Sequence, residues 1–140
     1  MMNTETISRP RTNARDAARY PRFLCVDDND FARDSLCAIL IHKGWGCKST
    51  RSTEVALRWL ADCPEPIDLL ITDHEMPEMN GLEFVRKVRA TNFPGRILVW
   101  SATVNSSEKA AYRELNVDAI VSKSDRRESL LEAIAELSAP

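Results

Sequence analysis

The sequence lacks the features that mark several large classes of protein. No apolar run approaches the length of a membrane span, and the N-terminus has no apolar core of the kind that secretory signals carry. The net charge of −2 shows no excess of one sign, which gives no reason to expect a nucleic acid or a membrane as a partner. A chain of 140 residues with an ordinary apolar fraction indicates one cytoplasmic domain that is long enough to bury a core.

Closely spaced cysteine pairs are also missing, which argues against a zinc site. Cys25, Cys37, Cys47 and Cys63 are spread over the first half of the chain, and in a reducing cytosol they are expected to be free thiols. Cys25 lies in an apolar run and Cys37 on an apolar helical face, so both are interpreted as small core residues.

The N-terminal segment differs in composition from the rest of the chain. Residues 1–22 contain five arginines, two acids and two prolines, and they lack a sustained apolar period. This composition predicts that 1–21 is a flexible basic tail and that 22–140 is the folded domain. A docking arm and a short helix over 14–20 are the alternatives for the tail.

Beyond the tail, apolar runs of strand type alternate with amphipathic helical patterns. The runs predict five strands, at 22–26, 46–50, 67–72, 96–100 and 118–121. Asp30 is expected to cap the first helix and Ser52 the second, and Asp125 and Glu128 have the spacing of a capping box at the start of the fifth. The alternation predicts an α/β fold with a five-stranded parallel sheet and helices on both faces, because crossovers are right-handed.

A polar residue stands where each of four apolar runs stops: Asp27 with Asp28, then Asp73, Ser101 and Lys123. A parallel sheet gathers the carboxyl ends of its strands along one edge, and ligands bind in the crevice there, so these residues are expected to meet. Three carboxylates in one crevice repel one another unless a cation lies among them. Oxygen ligands without His or Cys suit a hard ion, and few carboxylates with waters suit Mg²⁺ better than Ca²⁺. Asp27 and Asp28 on their own would be better explained by a polar turn that caps the next helix.

Asp73 adds a reactive group to this set. A carboxylate can act as a nucleophile toward a phosphoryl group and form an aspartyl-phosphate. The transition state spreads negative charge over the equatorial oxygens. Lys123 supplies a positive charge suited to phosphate, and Ser101 supplies a hydroxyl that could donate to a phosphoryl oxygen. The set therefore indicates phosphoryl transfer to Asp73.

Four segments carry a resemblance to a known family: Val26-Asp27-Asp28-Asn29, Ile71-Thr72-Asp73-His74-Glu75-Met76-Pro77-Glu78-Met79-Asn80-Gly81-Leu82-Glu83, Trp100-Ser101-Ala102 and Val121-Ser122-Lys123. On these segments the chain resembles the receiver domain of two-component response regulators, over residues 22–138. The segment around Asp73 is the most specific, because Met-Pro follows three and four residues after the acid.

The resemblance implies a flavodoxin-like, doubly wound fold and a role for each matching residue. It implies that Asp73 is the phosphoacceptor, that Ser101 is the switch hydroxyl and that Lys123 contacts the phosphate. It also implies Mg²⁺ as the cofactor. The implied ligands are three carboxylates and one backbone carbonyl: Asp27, Asp28, Asp73 and, through its carbonyl, Glu75.

The resemblance also implies the partners of the domain. Phosphate would come from a histidine kinase or a histidine phosphotransfer protein, and a downstream protein would dock on the face from helix four to helix five. We expect a stand-alone receiver, because no effector sequence follows helix five, with neither a nucleic acid nor a membrane as partner. Such a domain takes part in its own phosphorylation and dephosphorylation, but it is not an enzyme that turns over a metabolic substrate.

Several positions depart from the family pattern or add to it. Ser124 follows Lys123 where the family often has proline, which favours a trans bond because a non-proline cis bond is costly. Ile120 stands where the family usually has an aromatic ring, so coupling through that ring is absent. Glu75 adds an acid beside the site, and we hypothesise that it alters the lifetime of the phosphate. His74 is interpreted as a loop residue near the site and not as a phosphate carrier.

Other functions remain open on the sequence. The missing aromatic and the missing proline would suit a non-phosphorylated interaction scaffold with a receiver-like fold, which the intact acids, serine and lysine oppose. A phosphatase with an aspartate nucleophile would want a second Asp two residues after Asp73, where Glu75 stands. Nucleotide binding is disfavoured, because the Asp-Asp-Asn-Asp turn after the first strand would repel phosphates.

Overall fold

The structure is a computed structural model that describes residues 21–62 and 66–139. The expected tail up to residue 20, the alternative helix over 14–20 and Cys63 lie outside the described residues. Within the described part, strands and helices alternate along the chain in five β-α units.

Five strands form one parallel sheet in the order β2-β1-β3-β4-β5. Their bounds are β1 Arg22–Val26, β2 Gly46–Thr50, β3 Leu69–Thr72, β4 Arg96–Ser101 and β5 Ala119–Ser122. The central strands are near-continuous apolar runs because helices cover both of their faces. The predicted α/β fold, a doubly wound five-stranded parallel sheet of flavodoxin-like type, is confirmed.

Five helices connect and follow the strands: α1 Asp30–His42, α2 Thr53–Asp62, α3 Gly81–Ala90, α4 Ser106–Glu114 and α5 Arg127–Ser138. Side chains alternate along each strand, so Phe23 and Cys25 point to one face of the sheet while Leu24 and Val26 point to the other. Helices α1 and α5 cover the first face, and α2, α3 and α4 cover the second. The buried helical residues are Leu36, Leu40, Leu130 and Ile134 on the first face, and Ala56, Phe84, Val85, Val88 and Tyr112 on the second.

The cap of α1 differs from the prediction. Asn29, and not Asp30, is the N-cap, and its side-chain oxygen accepts from the Ala32 N–H at 2.9 Å. Asn29 has the extended backbone that an N-cap requires (φ −82°, ψ 105°), whereas Asp30 is already the first helical residue. The prediction for Ser52 is confirmed, because Ser52 Oγ accepts from the Val55 N–H at 3.1 Å.

The predicted capping box at the start of α5 is wrong. The N-cap there is Arg126, which makes no side-chain hydrogen bond. The helix therefore begins one residue too late for Asp125 and Glu128 to occupy the two positions of the box. A capping box forms at α4, where Asn105 Oδ1 accepts from the Glu108 N–H at 2.8 Å and Glu108 Oε1 accepts from the Asn105 N–H at 2.9 Å.

Three strand boundaries also differ from the prediction. The third strand begins at Leu69 and not at 67, since Asp68 lies in a bend. The Asp68 N–H still donates to the Arg22 carbonyl at 2.9 Å, so the chain enters the sheet in register. Strands β4 and β5 each end one residue later than predicted, at Ser101 and Ser122, which places both ends beside the candidate site.

Candidate functional site at the carboxyl edge of the sheet

The main chain brings the polar strand ends to one edge of the sheet. The parallel ladder continues one residue beyond β3, where the Asp73 N–H donates to the Val26 carbonyl at 3.0 Å, next to Asp27. On the other side, the Lys123 N–H donates to the Ser101 carbonyl at 2.9 Å. Backbone hydrogen bonds therefore fix where each of these side chains starts.

The structure brings the three acids together. Asp27, Asp28 and Asp73 each offer a carboxylate oxygen, and these oxygens lie within 4.8 Å of one another. Asp27 is 1% exposed and Asp73 is 7% exposed, so water screens their repulsion poorly. The Lys123 Nζ lies 2.8 Å from Asp27 Oδ2 and 3.4 Å from Asp73 Oδ2. Lys123 is thus a counterion that the two buried acids share.

The pKa shifts show that this charge balance is incomplete. Burial raises the pKa of the Asp27 carboxyl, because the hydrogen bonds from Lys123 and Asn29 do not offset the loss of solvation and the charge on Asp73 adds to the rise. Burial opposes the charge on Lys123, but its contacts with Asp27 and Asp73 outweigh burial and raise its pKa. The site therefore holds a firmly protonated lysine among more negative charge than it can neutralise.

Among the described residues, two buried side-chain atoms at this edge lack a hydrogen-bond partner. Ser101 is 3% exposed and its Oγ has none, and Asp27 Oδ2 has its ion pair with Lys123 but no well-directed hydrogen bond. Polar atoms left in this state are costly and call for a ligand or an ion. They lie at an open cleft of about 690 Å³ that Asp28 and Asp73 help to line. An all-oxygen donor set with unsatisfied carboxylate capacity fits a hard divalent ion such as Mg²⁺.

The Asp73 carboxylate is held from two sides. Oδ1 accepts from the His74 N–H at 2.7 Å, and Oδ2 accepts from the Lys123 ammonium at 3.4 Å. The loop that follows closes where the Gly81 N–H donates to the His74 carbonyl at 2.7 Å. A Cβ at Gly81 would lie 2.7 Å from the Asp73 carbonyl oxygen and would overlap the Tyr112 hydroxyl. The close approach of three segments therefore requires glycine at this position.

The loop that carries Lys123 is ordered without a proline. All peptide bonds of the described residues are trans, including the one before Ser124, as the missing proline favours. The Ser124 N–H donates to Ser122 Oγ at 3.1 Å, and the two hydroxyl oxygens lie 2.7 Å apart. The Lys123 Nζ lies 5.2 Å from the centroid of the Trp100 ring, a cation–π contact. Trp100 thus helps to hold the lysine, which nothing in the strand pattern indicated.

Glu75 lies at the mouth of the cleft. Its side chain is exposed, and Glu75 Oε2 accepts from the Thr103 hydroxyl at 3.3 Å. The contact joins the loop after β3 to the loop after β4 across the opening. The sequence indicated an acid beside the site but not its partner.

His74 lies next to the site, as interpreted, but its surroundings are different from those of an ordinary loop residue. The ring is 4% exposed, its Nδ1 lies 2.6 Å from the Tyr112 hydroxyl and its Nε2 lies 2.8 Å from Glu108 Oε2. Sequence reasoning missed Tyr112 and Glu108. Their spacing of four residues on α4 indicates one helical face, but it does not identify what that face contacts.

The sheet order and this edge together define the receiver class of α/β domains. A model of the response regulator receiver domain matches residues 23–135. The chain belongs to this family. Within the described residues, no helix combines the length and the apolar character that crossing a bilayer requires.

The similar proteins are longer than this chain. Response regulator MprA of Mycobacterium leprae (strain TN) is 34% identical over 117 residues, which are 83% of this chain and 50% of that protein. The DNA-binding transcriptional regulator NtrC of Azospirillum brasilense is 35% identical over 92 residues, which are 64% of this chain and 19% of that protein. The chain therefore spans half or less of the length of these curated relatives.

Solved structures share the fold. A response regulator receiver protein from Pseudomonas putida is 28% identical with a TM-score of 0.75, covering 84% of this chain and 97% of that one. A CheY-like receiver domain protein from Methanospirillum hungatei JF-1 has a TM-score of 0.77 at 23% identity, covering 84% of this chain and 92% of that one. The second likeness bears on the fold alone.

Proposed function

We propose that this receiver domain accepts a phosphoryl group on Asp73 with Mg²⁺ as its cofactor. The observation that carries the proposal is the cluster in which three carboxylates lie within 4.8 Å of one another and share Lys123. Asp27, Asp28 and Asp73 would hold the ion together with the backbone carbonyl of Glu75. When bound, the ion supplies positive charge that offsets the charge of the transferring oxygens.

Asp73 supplies the nucleophile. A carboxylate oxygen attacks phosphorus while the bond from phosphorus to the donor nitrogen of a phosphohistidine breaks, and the electron pair of that bond leaves with the nitrogen. The His74 N–H and the Lys123 ammonium restrict rotation of the carboxylate. This orientation lowers the entropy that the reaction must lose.

Lys123 and Ser101 stabilise the charge that develops on the phosphoryl group. As negative charge moves off the Asp73 carboxylate, the ammonium that pairs with it can contact a phosphoryl oxygen. The Ser101 hydroxyl, which has no partner in the structure, can donate to another. The proposal thus accounts for a buried hydroxyl that is otherwise unsatisfied.

The partners are inferred from the family. Response regulators interact with histidine kinases and with output domains. For this chain we propose a histidine kinase or a histidine phosphotransfer protein as the donor, in the cytoplasm, and a downstream protein that docks on the face from α4 to α5. The domain would be consumed and restored by its own phosphorylation and dephosphorylation, and it would not turn over a metabolic substrate.

Intact mass after incubation with a small phosphodonor and Mg²⁺ tests the proposal. The wild-type protein is expected to gain one phosphate, Asp73→Asn is expected to gain none, and a chelator is expected to slow the gain strongly. The competing scaffold function has one observation in its favour: Ile120 packs against the core as an aliphatic residue and offers no aromatic ring for switching. A wild-type protein that takes no phosphate would favour the scaffold.

A further inference from the structure

A buried chain of polar groups links Asp73 to helix α4. The His74 N–H donates to Asp73 Oδ1 at 2.7 Å. The His74 ring in turn contacts the Tyr112 hydroxyl through Nδ1, at 2.6 Å, and Glu108 Oε2 through Nε2, at 2.8 Å. Tyr112 and Glu108 both belong to α4, one turn apart, and Tyr112 is fully buried. A continuous path therefore runs from the proposed phosphoacceptor to this helix.

The bond partners assign the protons along the path. Burial, with added effects of the charges on Glu108 and Asp73, raises the pKa of Tyr112, so its hydroxyl keeps its proton and can donate to His74 Nδ1. The Nε2–H then donates to the Glu108 carboxylate, whose pKa is lowered by the Asn105 N–H first and by His74 second. A neutral ring with its proton on Nε2 satisfies all three side chains.

The path ends on the first turns of α4 and is closely packed. Glu108 Oε1 accepts from the Asn105 N–H at 2.9 Å, so the carboxylate that contacts His74 also caps the helix. The Tyr112 hydroxyl lies so close to Gly81 that a Cβ there would overlap it. Packed interiors transmit displacements because few voids can absorb them. A shift of the His74 ring must therefore move α4 or break these hydrogen bonds.

We propose that His74 is a positioning residue that couples the Asp73 carboxylate to α4 through Tyr112 and Glu108. The inference rests on the proposed phosphorylation of Asp73. A charged carboxylate makes a strong hydrogen bond with the His74 N–H, and this bond weakens when the negative charge moves to the phosphoryl oxygens. The segment at His74 then relaxes, and its ring carries the change to α4.

The residue at position 120 explains why a separate path is needed. Ile120 packs against the same core cluster as Tyr112 and has no polar group with which to follow a change at Asp73. The His74 path reaches α4 directly from the loop after β3, without passing through β5. The structure thus offers a polar connection where the family usually relies on an aromatic ring.

Hydrogen exchange of α4 in the full chain, with phosphate measured by intact mass on the same samples, tests the coupling. In the wild type, phosphorylation by a small phosphodonor and Mg²⁺ is expected to change amide exchange in Ser106–Glu114 by about fivefold or more, the lower end of usual coupling. Tyr112→Phe removes one hydroxyl and keeps the ring. There the change is expected to fall below about twofold at the same phosphorylated fraction.

Thr91→Val is the matched control, because it also removes one hydroxyl, whose bond to the Val88 carbonyl at 2.6 Å lies at the end of α3. It is expected to keep the wild-type response. A second measurement needs no substitution, since the chain has two histidines. Phosphorylation is expected to shift the ring nitrogen resonances of His74 and to leave those of His42, at the end of α1, in place.

The outcomes separate this inference from the function on which it rests. A Tyr112→Phe protein that takes phosphate and shows the full wild-type response in α4 would overturn the coupling and leave the proposed function intact. Unchanged His74 resonances in a phosphorylated wild type would overturn it as well. A wild type that takes no phosphate would overturn both.

Discussion

At the scale of single residues, the edge of the sheet holds opposite charges in unequal number. One ammonium, from Lys123, faces the carboxylates of Asp27, Asp28 and Asp73. Burial strengthens both the attraction and the repulsion, because little water is present to screen them. Binding sites commonly retain such unfavourable interactions, since the ligand relieves them.

Asp27→Asn is expected to raise the melting temperature when Mg²⁺ is chelated. The pKa of Asp27 is raised, chiefly by burial, so the folded protein binds this proton more tightly than the unfolded chain does. The charge therefore destabilises the fold at neutral pH, and an amide of the same size removes that cost. Thermal denaturation in a chelator measures the change, with Asp28→Asn, at a less buried position, as the control. A lower melting temperature for Asp27→Asn would contradict this account.

Glu75→Gln is expected to lengthen the life of the phosphate on Asp73. The Glu75 carboxylate stands at the mouth of the cleft, bonded to the Thr103 hydroxyl, where its charge raises the energy of a nearby phosphoryl group. Removing a like charge in largely exposed surroundings corresponds to about fivefold in rate. Loss of phosphate followed by intact mass gives the rate, and Glu78→Gln serves as a control in the same loop. Equal rates for Glu75→Gln and wild type would remove the hypothesis.

At the scale of elements, the loop after β3, the start of α3 and the inner face of α4 meet around one residue. Gly81 opens α3, its N–H closes the Asp73 loop, and the Tyr112 side chain of α4 packs against it. The order and type of the elements could be predicted, because apolar periodicity depends on many residues at once. Helix starts could not, since the exchange of Asn29 for Asp30 leaves that periodicity unchanged.

Gly81→Ala is expected to lower the free energy of unfolding by about 1–3 kcal/mol, the usual cost of overpacking. The added methyl group has no room beside the Asp73 carbonyl oxygen and the Tyr112 hydroxyl. Urea denaturation measures the change. Gly46→Ala is the matched control, because a Cβ there would meet Arg22 Cγ at an ordinary 3.7 Å. Similar stabilities for the two variants would show that the loop and α4 can move apart without cost.

At the scale of the whole molecule, two helices cover one face of the sheet and three cover the other, and the site lies at the edge between these layers. This topology explains why the acids and Lys123 could be located from the sequence: any parallel sheet of this order brings them to one edge. The contacts of His74 could not be located, because they depend on how closely α4 packs over 34–38 residues of intervening chain.

Removal of residues 1–20 is expected to leave both the melting temperature and the rate of phosphorylation unchanged. The acids, Ser101 and Lys123 lie between positions 27 and 123, and the buried core runs from Phe23 to Ile134. A time course of phosphate gain by the full chain and by the shortened chain compares the two. Slower phosphorylation of the shortened chain from a small donor would show that the N-terminal segment contributes to the site.

The ion pairs of Lys123 with Asp27 and Asp73 have a consequence for how the protein is made. A cation that is part of the polypeptide already stands among the acids, so a newly synthesised chain can reach its final shape before any metal arrives. Small zinc domains, in contrast, stay unfolded until their ion is supplied. In this protein, magnesium supply would govern readiness to signal and not maturation.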